Sequence, residues 1–397
     1  MRFFNIFKFK RQPLAWLLIW RQKYRSIAGI MGIAFISMLI LFQLGFNDSL
    51  MESSAGILKS LNCDLILVHS DTVSVTNLGS FSDSRRTSLD YIPGVAETVP
   101  LRWTYAKWKL SGQNKPRLAM VLGIDLSTQS LIGIGMSQRS TEALFFPETI
   151  LFDNKSRPEF GNVANLLRQQ HDVVGFINNN RVHVDGLVEI GPSFGYDGIL
   201  VTSKETYESV LGNDHYFADP TKIELGLIRI ADGFKVEEVA QSIIPQLPPD
   251  VRLFTKTGLV KYEKEYWISS KPIGYIFGFG IAMGFAVGTI ILYQILFTDI
   301  ISNIEYYGVM LAIGYPMTYL RGVVASQAVI MSIISFPFAL SISSTGYIFL
   351  KAFTSLPFRM SIDKILGTYG LVLAMSILSA MLAISHLKST NPANVFK

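Results

Sequence analysis

The side chains best suited to chemistry are few and far apart. The five histidines (His69, His171, His183, His215 and His386) are scattered through 397 residues. No HExxH sequence sets two imidazoles on one helix face, as a zinc hydrolase requires. His183 and Asp185 alternate in a strand-like HVDG and offer one imidazole and one carboxylate, short of a metal shell. Glu237 and Glu238 sit beside Lys235 on a helical stretch, the pattern of a solvated face. Cys63 is the only cysteine, so no intramolecular disulfide forms, and its type fits a small packed side chain better than a nucleophile. There is no GxSxG elbow, no Cys-x-x-Cys and no GxxxxGK[ST] loop to cradle phosphates. LSGQN at 110–114 is faintly like the signature of ABC ATPases, but a chain without a phosphate loop has no use for one. The chain therefore reads as non-catalytic, with no cofactor and no metal.

One segment has the pattern of a contact element instead. In FTDIISNIEYYGVMLAIGYPMTYLRG (297–322), Ile300, Ile304, Tyr307 and Leu311 fall on one helical face, and Gly314 and Pro316 stop the helix. An amphipathic helix of this length either lies in a membrane interface or fits a groove on a partner. The pair Tyr306–Tyr307 favours a partner, because tyrosine is enriched at binding hot spots.

The elements around this segment are built for lipid. Charged residues make up 16% of the chain, against about 25% in an average soluble protein. A spanning helix needs about 20 mostly apolar residues, and four stretches qualify: 27–46, 273–297, 323–350 and 365–387. None carries Asp, Glu, Lys or Arg at its centre, which argues against an ion-coupled transporter. The first exceeds a signal-peptide core and has no obvious cleavage site in the NDSLMESS that follows, so it is expected to remain as an anchor. Gly274, Gly278, Gly280, Gly284 and Gly288 recur at spacing four in two registers, the pattern that lets helix backbones approach in lipid. Gly278, Gly280, Gly284 and Gly288 are thus expected to set helix packing, within the bundle or at a dimer seam.

The excess of positive charge flanks these spans instead of forming a basic face, which excludes a nucleic-acid binder. Residues 1–26 hold seven Lys/Arg and no acid, and this segment is expected in the cytoplasm. Alternation then puts 47–271 outside, 298–322 inside, 351–364 outside and the tail 388–397 inside. The local loop counts, with Lys351, Arg359 and Lys364 outside and only Arg321 inside, run against the N-terminal bias, which is larger.

Residues 47–271 read as a mixed α/β domain with helical stalks at both ends. Leu50, Ile57 and Leu61, then Leu259, Tyr262, Tyr266 and Ser270, recur at helical spacing. Strands are expected at 63–70, 95–110, 117–125, 223–230 and 251–254, with a helix at 235–247 stopped by Pro248 and Pro249. The last two strands and that helix form a β-α-β unit. Gly- and Asn-rich material at 126–222 is expected to be an inserted, loop-rich subdomain.

The contact segment also carries a family resemblance. EYYGVMLAIGY, Glu305 to Tyr315, resembles the E-x-G-x-L-x-A-x-G coupling motif of MacB/FtsX/LolC-type ABC permeases. The layout is similar too, as is the terminal NPANVFK (391–397), in which Asn391 stands where the family has Asp. Residues 262–300 are most similar to the DevC-like branch, permeases of the heterocyst glycolipid exporter. The resemblance implies an α-helical membrane protein with four transmembrane helices and, between helices 1 and 2, a large MacB-like periplasmic α/β core, set in a bacterial inner membrane. It implies a homodimer working with a separate ABC ATPase, a periplasmic membrane-fusion adaptor and an outer-membrane TolC-like duct, exporting a glycolipid or other amphiphile. Glu305, Tyr306, Tyr307, Met310 and Gly314 would then contact the ATPase and pass its motion to the outer domain. The alternative within the resemblance is an FtsX-like transmitter that activates a cell-wall hydrolase and transports nothing.

Overall fold

The computed structural model describes residues 14–127, 136–169, 172–211, 219–269 and 272–387. The first thirteen residues of the basic segment, His171, His215, Ser270 and the tail 388–397 with NPANVFK lie outside the described residues. In chain order the elements begin with α1 (Leu14–Arg21), α2 (Lys23–Ser54), α3 (Gly56–Ser60), β1 (Leu65–His69), β2 (Phe81–Ser82), α4 (Ser84–Thr87), β3 (Val95–Leu110) and β4 (Arg117–Ile124). They continue with α5 (Gln138–Ala143), β5 (Thr149–Asp153), α6 (Val163–Arg168), β6 (Val173–Ile177), β7 (Asn180–Val188), β8 (Gly198–Ser203) and α7 (Lys204–Leu211). Then come β9 (Lys222–Ile223), β10 (Leu225–Ile230), α8 (Val236–Ile243), β11 (Val251–Thr255) and α9 (Lys256–Ser269). The last helices are α10 (Pro272–Ser302), α11 (Ile304–Ala312), α12 (Met317–Thr354) and α13 (Ile362–Leu387). The chain forms two compact units. One is helical and holds the chain up to Asn47, Ile273–Phe349 and the chain from Phe358; the other is α/β and holds Asp48–Pro272 with Leu350–Pro357.

The α/β unit is organised by β3, whose 16 residues are buried continuously from Thr98 to Thr104, alternate only towards the far end, and stay paired through Pro100. Its sheet runs β11-β1-β10-β3-β4-β8-β5-β7-β6. β10 and β11 both lie antiparallel to β1, which separates them, so β10-α8-β11 is a split β-α-β unit. On one face, Ile66, Val68, Val99 and Leu227 pack with Ile57 and Leu58 of α3 and Leu259 of α9. On the other, Leu65, Leu67 and Ile228 pack with Val239 and Ile243 of α8. The apolar faces expected of stalk helices are thus turned onto the sheet, and Glu52 and Lys264 tie α2 to α9 at 2.7 Å. α8 stops at Ile243, four residues before the expected end at 247, because Pro245 already forces a 3-10 turn over Ile244–Gln246.

The segment 126–222 is not the loop-rich insertion expected from its composition. It supplies β5 to β8, which extend the same sheet. β6 then pairs back onto the far end of β3, with Lys109 opposite Phe176, so six strands close on themselves. Trp108 fills their interior beside Phe152 and Phe160, and donates from Nε1 to the Phe160 carbonyl at 3.0 Å. Gly175 is required there: a Cβ would sit 2.0 Å from the Trp108 ring. His183 Nδ1 lies 3.0 Å from Asp172 Oδ1, so its near neighbour is that carboxylate and not Asp185. Among the described residues no group of three or more His, Cys, Asp or Glu is arranged for a metal. Cys63 is buried, which pushes its thiol up to about 12 and keeps it from acting as a nucleophile.

Glu224, between β9 and β10, makes this unit sensitive to pH. Its Oε2 accepts from the Trp103 amide at 3.0 Å, while the nearby Arg102 guanidinium is committed to Glu208 at 3.1 Å. Burial outweighs these favourable contacts and pushes the carboxyl up to about 7. The folded state then holds a proton that the unfolded chain has released, so this contribution falls as pH rises from about 4.5 to about 7, by about 3 kcal/mol in all. Burial raises Asp153 and Glu263 in the same direction. Glu224→Gln should flatten that part of the slope and raise the unfolding temperature above pH 7. Tryptophan fluorescence of the full chain from pH 4.5 to 8 checks it, and an unchanged slope would refute it.

The helical unit holds the four helices long and apolar enough to cross a membrane: α2, α10, α12 and α13. Its seams are made of small residues, which let backbones approach where lipid removes the hydrophobic drive between helices. Gly280, Gly284 and Gly288 of α10 face Gln43, Ile40 and Ile36 of α2 in turn, so the two helices run antiparallel along a glycine stripe. Gly288 also meets Met375 of α13. Gly278 does not belong to this seam; nothing lies within 4 Å of where its Cβ would be. A tighter approach joins α2 to α12. A Cβ on Gly45 would lie 2.1 Å from Tyr347 Oη, and one on Gly346 would lie 2.3 Å from the Phe42 ring. Each helix thus offers a notch to the other's aromatic ring, and Tyr347 donates its hydroxyl proton to the Leu41 carbonyl. α12 and α13 are joined by a hydrogen bond between Ser332 and Ser376.

A candidate partner-contact face at the end of the helical unit

The long helix α10 does not stop where hydrophobicity stops. It continues past Phe297 to Ser302, carrying Asp299 into the helix, and breaks only at Asn303. The break is stabilised locally. Asn303 Nδ2 donates to the Asp299 backbone carbonyl at 2.8 Å and to its Oδ1 at 3.2 Å, and Gln327 Nε2 of α12 donates to Oδ2 at 2.7 Å. Asp299 is therefore buried, with two donors on its carboxyl group and one on its backbone carbonyl, near the end of a span and not at its centre. α11 then leaves in a new direction and ends in a Schellman turn. Gly314 N–H donates to the Leu311 carbonyl and Tyr315 N–H to the Met310 carbonyl, both at 3.0 Å, with Gly314 at φ +101°. Glycine is needed at 314 for that backbone geometry; its Cα faces open space.

At nine residues α11 is too short to span a bilayer. Its apolar stripe faces inward. Tyr307 is 3% exposed and packs among Ile300, Leu320, Val323 and Val324, with Leu18 and Ile19 of α1. Burial pushes its hydroxyl up, and Tyr307 Oη has no hydrogen-bond partner among the described residues. Met310 is half-buried in the same cluster. Of the residues expected to meet an ATPase, then, Tyr307 is a core residue, Met310 lies at the core's edge and Gly314 is a helix stop. Glu305 and Tyr306 are exposed.

The outward face of α11 carries residues that periodicity alone did not select. Val309 is 51% and Ile313 72% exposed, beside Tyr306. Tyr315 and Tyr319 continue the surface, their ring centroids 5.1 Å apart. Tyr306 is held from the side: Arg21 Nη2 donates to its Oη at 2.6 Å, with the guanidinium 4.6 Å from the ring centroid. Arg25 Nη1 donates to Ser302 Oγ at 2.8 Å and Gln22 Nε2 to the same oxygen at 3.2 Å. The end of α10 and the start of α11 are thus pinned by Arg21 of α1, by Gln22 after it and by Arg25 in the first turn of α2; α1 has no counterpart in the expected layout. Its signal was present in PLAWLLIWR, an apolar run too short to span but long enough for two turns of helix.

The face that results is apolar and aromatic, with one carboxylate and one anchored cation, on a short helix fixed by buried contacts behind it. That make-up suits a partner contact or a membrane interface and not a solvated surface.

Residues 273–392 match the family model described as FtsX-like permease C-terminal, a stretch that takes in α10, α11, α12 and α13. No curated protein matches the chain. Among solved structures, it is similar to the periplasmic region of MacB from Actinobacillus actinomycetemcomitans, with 11% identity and a TM-score of 0.36 over 51% of this chain and 94% of that one. It is also similar to the extracellular domain of the ABC-type transporter YknZ from Gram-positive bacteria, with 12% identity and a TM-score of 0.35 over 48% and 98%.

Proposed function

We propose that this chain is the membrane subunit of an ATP-driven ABC exporter and that a cytoplasmic ABC ATPase docks on the outward face of α11. The match of residues 273–392 to an FtsX-like permease C-terminal region carries the reading. The exposed face of Tyr306, Val309 and Ile313, unexplained by packing within the chain, supports it. ATP is hydrolysed on the partner, and this chain is not an enzyme. Closure of the partner pushes α11, and the rigid break at Asn303 passes that displacement into α10.

The remaining parts of the reading follow from it. The N-terminus, 298–322 and the tail lie in the cytoplasm of a bacterial inner membrane, and the α/β unit outside. Two copies pair with an ATPase dimer, and an adaptor and a TolC-like duct complete a tripartite assembly. The cargo is a glycolipid or another amphiphile. In this reading the cargo moves on the outer side of the membrane and not through a channel in the four helices.

The test is a gentle-detergent pull-down of the tagged chain from its native membrane, with a photo-cross-linker at Val309 and partners identified by mass spectrometry. An ABC ATPase cross-linked at 309 together with an adaptor is the expected result. An ATPase accompanied by a cell-wall hydrolase and no adaptor would replace export by transmembrane signalling. Failure to recover any ATPase would overturn the proposal.

A further inference from the structure

The turn between α1 and α2 holds charges that docking on α11 does not use. α1 buries Ala15, Leu18 and Ile19 in the helical unit and leaves Trp16, Leu17 and Trp20 exposed. The two indoles meet edge to face, centroids 6.5 Å apart, and Lys23 Nζ lies 5.7 Å from the Trp20 ring. Immediately beyond, Arg21 to Arg25 line an open cavity of about 340 Å³. Among the described residues, none of Arg21, Lys23 and Arg25 forms an ion pair with a carboxylate. Arg21 gives one hydrogen bond to Tyr306, and Arg25 bonds to Ser302 and Gln22, so both guanidinium groups keep donors to spare.

We propose that this cavity binds the phosphate headgroup of an anionic lipid, with Trp16, Leu17 and Trp20 seated at the headgroup–acyl boundary. Two independent features point to that occupant. No carboxylate among the described residues lies within ion-pair distance of the three cations, although Arg25 also acts on Asp299 from farther off, and all three line one open cavity, which suits a phosphate; each basic side chain near an anionic membrane surface gains about 1 kcal/mol. The exposed indoles and Leu17 suit an interface where one edge is wet and the other apolar. An acidic peptide would answer the charges and leave the indoles and Leu17 in water. The site also adjoins α2, one of the helices of membrane-spanning length. Because Arg21 and Arg25 also hold Tyr306 and Ser302, a bound headgroup shares its donors with the break between α10 and α11. The inference rests on α2 spanning a bilayer and does not depend on any partner docking at α11.

Native mass spectrometry of the purified full-length chain, exchanged into micelles with equal phosphatidylglycerol and phosphatidylcholine, tests it. Wild type should retain phosphatidylglycerol in preference, and removing one cation should cut that retention about fivefold. Lys23→Gln is the cleaner variant, since Lys23 makes no hydrogen bond that holds α11; R21Q/K23Q/R25Q should remove the preference. Equal retention of the two lipids by wild type, or undiminished phosphatidylglycerol on Lys23→Gln, would overturn the proposal. Displacement of the lipid by inorganic phosphate would also overturn it, by making the cavity a site for free anions.

Discussion

Val309→Asp and Ile313→Asp should each release the partner ATPase while leaving the helical unit folded. Both side chains are more than half exposed, so an aspartate at either position meets water in the free chain. In the complex the same carboxylate would lie in an apolar contact without a partner, where loss of a hot-spot residue costs about 2 kcal/mol or more, a weakening of about 30-fold. Stimulation of ATP hydrolysis in proteoliposomes and recovery of the ATPase in pull-downs should fall together. Tyr307→Asp serves as the contrast. Tyr307 is 3% exposed behind the face, and a lone carboxylate buried there carries a large desolvation cost. It should lower the thermal stability of the helical unit, so its loss of coupling would follow from misfolding. Full stimulation by both Val309→Asp and Ile313→Asp would remove α11 as the docking element.

Gly346→Leu and Gly45→Leu should destabilise the helical unit by about 3 kcal/mol each, the upper range for forcing bulk into a packed seam. At both positions the nearest neighbour is an aromatic ring wedged against the opposite helix, which cannot swing away as a methionine or glutamine end can. Tyr347 is further fixed by its bond to the Leu41 carbonyl. Gly288→Leu should cost less, because Met375 is flexible, and Gly278→Leu should cost nothing, because no atom lies within 4 Å of its Cβ site. Unfolding temperatures of the full chain in one detergent would rank the four. A result in which Gly278→Leu is as damaging as Gly346→Leu would mean that position 278 packs against something beyond this chain, such as a second copy.

The contrast between these residues shows what could be read from the sequence. Spacing of glycines marked α10 as a packing helix, and Gly280, Gly284 and Gly288 do line a seam. Their partners were not legible, because the neighbour's residues, Gln43, Ile40 and Ile36, lie more than two hundred positions away. The notches at Gly45 and Gly346 were passed over for a related reason: each is a single glycine, meaningful only when the ring opposite is known. On α11, periodicity found the amphipathic stripe through Ile304, Tyr307 and Leu311. A stripe shows that a helix has an inside; it does not say whose inside. Here α10, α12 and α1 provide it, so the face left for a partner is the opposite one. In the α/β unit the long strand at 95–110 was legible from its alternating and continuous apolar stretches. The extension of the sheet by 149–203 was hidden by short strands and Asn-rich turns, and the pairing of Lys109 with Phe176 joins residues far apart in the chain.

β3 has a further consequence. It carries β10 along its first half, β4 along most of its second and β6 at its far tip. At about 3.4 Å per residue, its 16 residues form a beam about 50 Å long. The two halves of the α/β unit therefore hold one strand in common, on adjoining stretches that meet at Leu101. A hinge between them would have to bend that beam, and a tear begun at one end would have to shear it along its length. Such a body transmits a push without spending it on internal motion, and it melts once, as a whole.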